Sequence, residues 1–122
     1  MKLKYFLVTV VISLSSTSSY ASGNAKKGEQ QYAARCIACH SIEANLAGPM
    51  HRGVFGRKVG SVIGFDYSPA LKKSSVIWNE KSLDKWLANP EKFIAGQQMG
   101  YSVSNAKDRE DLIAFLKTQA RR

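Results

Sequence analysis

The pentapeptide CIACH, residues 36–40, holds both cysteines of a 122-residue chain and sets a histidine directly behind them. Two thiols three positions apart with an adjacent imidazole admit three chemistries. A thioredoxin-like dithiol places C-x-x-C at a helix start after a strand, within a βαβ pattern; here the pair follows a helix-forming segment and no such pattern exists. A structural zinc site needs four ligands. Cys36, Cys39, His40 and His51 would total four, but not at a zinc-finger spacing. The third chemistry is covalent haem attachment, whose signature is C-x-x-C-H. Thiols on one turn can add to the two vinyl groups of a porphyrin as thioethers, and the next residue then turns its imidazole toward the iron. A disulfide between Cys36 and Cys39 would close too small a loop to restrain the unfolded chain appreciably.

Iron bound from one side has a second axial position to fill. Beyond the first 21 residues the candidates are the thioethers of Met50 and Met99 and the imidazole of His51. Met99 stands in AGQQMGYS between Gly96 and Gly100, and glycines let backbone lie close to a flat ring. Met50, in GPMHRG shortly after His40, has little chain with which to travel around a macrocycle edge. Met99 is therefore the expected sixth ligand, Met50 is expected to pack or be exposed, and His51 is expected at the surface.

These residues need elements to position them. A first helix is predicted from the N-cap Asn24 to about Arg35, with Gly28, Tyr32 and Cys36 on one stripe. YSPALKKS predicts a short helix capped by Ser68 with Pro69 at its first position. A third helix is predicted over about Glu80–Ala88, burying Leu83, Trp86 and Leu87 and stopped by Pro90. The last starts at Asn105, with Asp108 completing a capping-box-like pair and Leu112, Ile113 and Leu116 as its apolar stripe. Lys117, Arg121 and Arg122 would stand at the negative end of its dipole. No strand pattern competes, so the predicted class is all-α. Ser41 to Pro69 reads as mostly irregular and glycine-punctuated, a length of loop that a small domain carries for a reason. A bulky internal group would supply one.

The N-terminus bears on location. MKLK, the apolar run YFLVTVVISL and a small-x-small ending at Ala21 have the layout of a secretory signal peptide. The run is too short for a membrane span, which needs about 20 apolar residues. The domain division is thus a signal peptide over 1–21, cleaved after Ala21, and one domain over 22–122; an uncleaved tether is the alternative. The chain's net charge is +9, of which Lys2 and Lys4 contribute part. That charge argues for a partner only where it clusters on one face. An exported chain without a nucleic-acid-binding motif is not expected to bind nucleic acid.

Longer blocks carry a family likeness. From Gly28 to Lys117 the sequence resembles the class I cytochromes c, in their mitochondrial-type, cytochrome c2-like branch. GEQQYAARCIACH is similar to the family's first helix and haem motif, GPMHRGVFGRKVG to its proximal loop and GFDY to the following turn. VIWNEKSLDKWLANP is similar to the middle helix, NPEKFIAGQQMGYS to the distal loop and REDLIAFLK to the final helix. The resemblance implies a small single-domain class I cytochrome c fold, with three main helices plus a short helix wrapped around one covalent haem c. It implies thioethers at Cys36 and Cys39 and iron bonds from His40 and Met99. Pro49 would accept from the proximal imidazole N–H, and Arg57, Tyr67 and Trp78 would surround the haem propionates. It also implies packing of Gly28 and Tyr32 against Leu112 and Phe115. Several positions depart from the family. Trp86 stands where tyrosine is frequent, Leu71 where a polar residue joins a water network, and Ala95 where proline is frequent. The loop after His40 is shorter than in mitochondrial members. Positions that often carry a lysine ring read Glu91, Gln97, Gln98 and Asn105, with Lys27, Arg35 and Lys92 remaining.

With both axial positions filled by protein, the iron has no open site for a substrate, and the expected function is one-electron transfer, not catalysis. Thioether ligation and burial favour the ferrous ion and raise the potential. The expectation is a soluble, exported, low-spin monohaem carrier. It would be periplasmic, monomeric and without stable membrane insertion. Its redox partners would be of the kind of a quinol–cytochrome c reductase, a terminal oxidase or a periplasmic dehydrogenase. A stable haem subunit of such a dehydrogenase is the second reading. A peroxidase-like enzyme, with Met99 off the iron, is the third.

Overall fold

A computed structural model describes residues 23–120, and the signal-peptide reading of 1–21 lies outside the described residues. Five helical segments follow in order: α1 Ala25–Arg35, α2 Pro69–Lys73, α3 Glu80–Ala88, α4 Pro90–Phe93 and α5 Ala106–Thr118. Among the described residues the only bridge between extended segments is the antiparallel pair Lys58 and Ile77. No helix there is long and apolar enough to cross a membrane.

Each helix begins on a side chain that satisfies an otherwise orphaned amide. The Asn24 amide oxygen accepts from Lys27 N at 3.0 Å. Ser68 Oγ serves Leu71, with Pro69 at the first helical position. At α3 the cap is reciprocal. Asn79 accepts from Ser82 N at 2.9 Å, and Ser82 Oγ accepts from Asn79 N at 2.8 Å. Pro90 ends α3 and also opens α4, whose first turn is capped by Asn89. A second short helix thus joins the one that was expected, because the φ of proline suits a first helical position as well as it breaks an interior one. At α5, Asn105 caps Asp108 N at 3.0 Å, but the reciprocal half of the expected box is not made. The Asp108 carboxylate turns instead to α1, meeting Arg35 at 2.9 Å and Gln31 Nε2 at 3.0 Å.

α1 and α5 pack closely enough to exclude a methyl group. A Cβ at Gly28 would fall 1.9 Å from the Asp111 carbonyl oxygen. Tyr32 lies tilted on Phe115 at 5.2 Å between ring centroids, and both are buried with Leu112, Ile113 and Leu116. α3 joins them through Arg109, which meets Asp84 at 2.6 Å and donates to the carbonyls of Val103 and Ser104. Leu83 and Trp86 are buried as the spacing predicts. Leu87 is half-buried and lies against the core's edge, since Trp86 occupies the inward position.

The segment between α1 and α2 is irregular, as expected. Its turns at Gly53, Gly56, Gly60 and Gly64 all have positive φ, as has Gly96 further on, a conformation costly for any residue with a Cβ. Val54, Arg57, Val59 and Val62 nonetheless point from this segment into the core.

Candidate functional site

The CIACH segment continues α1 by one turn. The Cys36 N–H bonds to Tyr32 O at 2.9 Å, and the amides of Cys39 and His40 both return to Cys36 O, at 3.1 and 2.8 Å. Cys36 is half-buried, Cys39 is exposed, and they are not joined to each other. Burial pushes the Cys36 thiol up to about 11; Arg35 opposes this and Cys39 adds to it.

His40 is oriented by the loop that follows it. Its Nδ1–H donates to the Pro49 carbonyl at 2.9 Å, which leaves Nε2 with its lone pair, the form a metal needs. Burial pulls the imidazole below its ordinary value, and the bond to Pro49 offsets part of that. Gly48 lies against the same ring: a Cβ there would stand 2.2 Å from His40 Cε1. The Gly48 amide is tied to Cys39 O at 2.7 Å. The imidazole is therefore seated in a cradle of backbone that only glycine can line.

Arg57, Tyr67 and Trp78 are all buried. Arg57 Nη1 and Nη2 donate to the carbonyls of Arg52 and Met50 at 3.1 and 2.9 Å. Trp78 meets Arg57 through the backbone, its N–H bonding to Arg57 O at 2.9 Å, and its ring lies 5.4 Å from that of Trp86. The Tyr67 hydroxyl accepts from Val62 N at 3.3 Å. Burial raises its pKa against the opposing effects of Val62 and Arg57.

Met99 arrives on the distal loop, half-buried against the same core that takes in Cys36 and Met50. The loop is tied down by Glu91, which accepts from Gly96 N at 3.0 Å and Gln97 Nε2 at 3.2 Å. The departure from lysine at that position thus has an internal use. Gly96 makes the turn at φ +86°.

His51 is where the sequence reading needs correcting. It is half-buried, not at the open surface. Its ring stacks on His40, with centroids 4.0 Å apart and planes inclined by 20°. Its Nδ1 is 3.0 Å from the Tyr32 hydroxyl. Burial first, then the neighbouring His40 and Arg57, hold it well below the ordinary histidine value and therefore neutral. Burial first, and Cys36 second, raise the Tyr32 phenol above its ordinary value. Nothing in the spacing of Tyr32 and His51 announces this pair, because it forms across two segments brought together by the fold.

Two thiols on one turn and an adjacent imidazole freed at Nε2 are what covalent haem attachment asks of a chain. The missing Cβ of Gly48 leaves the room that the His40 ring itself occupies. The cytochrome c family model matches residues 25–120. The chain belongs to the cytochrome c family. It is 44% identical over 101 residues to cytochrome c of Gibberella zeae, covering 80% of this chain and 95% of that one. It is 43% identical over 108 residues to cytochrome c2 of Rhodomicrobium vannielii, covering 85% and 86% respectively. The solved structure of cytochrome cH from Methylobacterium extorquens superposes with a TM-score of 0.75 at 43% identity, covering 79% of this chain and 99% of that chain. The fold is that of a class I cytochrome c. As a cytochrome c the protein is a monohaem electron carrier, not an enzyme. Its cofactor is covalent haem c, for which Cys36 and Cys39 fit the C-x-x-C-H motif.

Proposed function

We propose that the protein is an exported, periplasmic one-electron shuttle whose haem is bound through Cys36 and Cys39 and whose iron is ligated by His40 and Met99. The observation that carries the reading is the His40 seat: the imidazole is held at Nδ1 by Pro49 and lined by Gly48, with Nε2 free. The haem supplies one reversible electron when bound. The chain's own residues do the rest. Pro49 orients His40, and its carbonyl, by drawing on the N–H, makes the ring a stronger donor. With His40 and Met99 both on the iron, the chain itself would hold the haem on two sides and leave small oxidants no place to bind. Arg57, Tyr67 and Trp78 supply the polar partners that buried propionates require. The Glu91 bonds steady the loop that presents Met99. Export rests on the N-terminal layout MKLK–YFLVTVVISL–SSTSSYA.

The test is spectroscopic. Colour that survives acid–acetone extraction and a ferric far-red sulfur-to-iron band are the expected results. Met99→Ala should abolish the band while Met50→Ala leaves it in place. An extractable pigment overturns the thioethers, and a band that persists in Met99→Ala overturns the ligand. The second reading, a stable subunit of a periplasmic dehydrogenase, is favoured by the use of Glu91 and Gln97 to brace the loop at positions where a lysine docking ring is frequent. Co-elution of the native protein with a larger enzyme on size exclusion would establish it. The redox partner of the shuttle would be of the reductase, oxidase or dehydrogenase kind.

A further inference from the structure

The proximal side of the site holds a pair of polar side chains that electron transfer does not by itself demand. Tyr32 is buried and His51 half-buried; they are hydrogen-bonded to each other, and the His51 ring lies against the imidazole assigned to the iron. We infer that Tyr32 and His51 act together as positioning residues for His40. The Tyr32 hydroxyl fixes the His51 ring, and that ring, lying flat on His40, fixes the plane of the proximal imidazole. The inference rests on the assignment of His40 to the iron made above.

The geometry carries it in three steps. The bond from His40 to Pro49 fixes which nitrogen is protonated and where the ring edge lies, but one hydrogen bond leaves the ring free to rock about that contact. A second flat ring 4.0 Å away and nearly parallel removes that freedom, because rocking would drive atoms inside their contact distance. His51 in turn must not move. Its N–H is bonded to Ser41 O at 2.9 Å and its carbonyl to Val54 N at 2.9 Å. Arg57 holds the carbonyls on either side, those of Met50 and Arg52. The remaining freedom is rotation of the His51 side chain, and the Tyr32 hydroxyl removes it at 3.0 Å. Tyr32 is itself fixed between α1 and α5, edge-on to His51 at 5.6 Å and tilted on Phe115 at 5.2 Å. A continuous chain of contacts therefore runs from the packing of the terminal helices to the proximal ligand. An aliphatic residue at 51 would fill the space without any group through which Tyr32 could set its angle.

The experiment uses the haem-loaded protein. In the ferric state the orientation of the axial ligands decides how unpaired spin is shared among the four haem methyl groups, and their proton NMR shifts read it directly. Tyr32→Phe removes one oxygen and keeps the ring on Phe115. It is expected to change the spread or order of the methyl resonances and to alter the oxidised-to-reduced ratio at fixed poise by about twofold to tenfold, tenfold being 59 mV for one electron. His51→Leu is expected to change both at least as far. The double variant should go no further than His51→Leu, since residues that act as a unit are not additive. A methyl pattern and potential in Tyr32→Phe identical to the wild type overturn the inference, as does additivity of the two changes. Should His51→Leu fail to take up haem, Tyr32→Phe decides alone. A wild-type protein whose iron is not bound by His40 overturns the ligand assignment itself. Unchanged variants in a protein with His40 on the iron overturn only the positioning role.

Discussion

At the scale of single residues, the site depends on one missing methyl group. Gly48 is not needed for an unusual φ; it is needed because His40 occupies the space its Cβ would take. Gly48→Ala is expected to displace the loop from the imidazole and to destabilise the folded protein by about 1–3 kcal/mol, as overpacking does. Thermal unfolding measures the loss, and a weakened low-spin ferric spectrum would accompany it. Asp111 is a second residue on which the folded protein depends, at the contact of α5 with the start of α1. Its side chain is 4% exposed. The Asn24 N–H at 2.7 Å holds its carboxyl below the usual carboxylate range, burial opposes, and Lys107 assists. A folded pKa below the unfolded one stabilises the protein above the unfolded value of about 3.9, and that stability is lost as pH falls through the folded value. Unfolding measured from pH 7 downward should therefore steepen below about pH 4. Asp111→Asn, less stable at pH 7, should lose less over the same acid range. Parallel curves would remove Asp111 from the account.

At the scale of elements, the contact between α1 and α5 is governed by Gly28. Alanine there gains helix propensity of about 1 kcal/mol, but its Cβ would stand 1.9 Å from the Asp111 carbonyl oxygen. Backbone cannot yield as a flexible side chain can, so the helices must separate. Gly28→Ala is expected to cost about 2 kcal/mol net, a fall in Tm of roughly 10 °C for a domain of this size. Calorimetry of the haem-loaded protein checks it. An unchanged Tm would mean that the two helices are not held at this distance. Helix existence was legible here from sequence, because Asn24, Ser68, Pro69 and Asn105 are local signals read over three or four residues. The direction of the Asp108 carboxylate was not legible, since its partner Arg35 belongs to another helix. The burial rank of Leu87 was hidden for the same reason.

At the scale of the whole molecule, the long segment from 41 to 68 has almost no regular structure, and its glycine turns gain little unless their valines are buried together. Such a segment has few local bonds with which to offset its conformational entropy. Cys36→Ala/Cys39→Ala, which prevents attachment, is expected to yield a chain that lacks a cooperative thermal transition and most of its helical far-UV signal. Retention of a sharp transition without haem would show that the polypeptide core suffices. The charge follows a related logic. Several acidic side chains are spent on pairs between helices, Asp108 with Arg35, Asp84 with Arg109 and Glu80 with Lys117.

By itself the sequence determined the chemistry and the class. C-x-x-C-H, one methionine between glycines and a set of helix caps are short-range patterns, and each retains its meaning wherever the chain places it. The family likeness in long blocks also implied the bond from His40 to Pro49, a contact the fold contains. Only the tertiary structure decided what else surrounds His40. The Gly48 cradle, the stacked His51 and the Tyr32 hydroxyl converge from α1 and from the loop that follows CIACH. Contacts between segments depend on where each one is carried by the packing of the others, and no spacing within either segment records that.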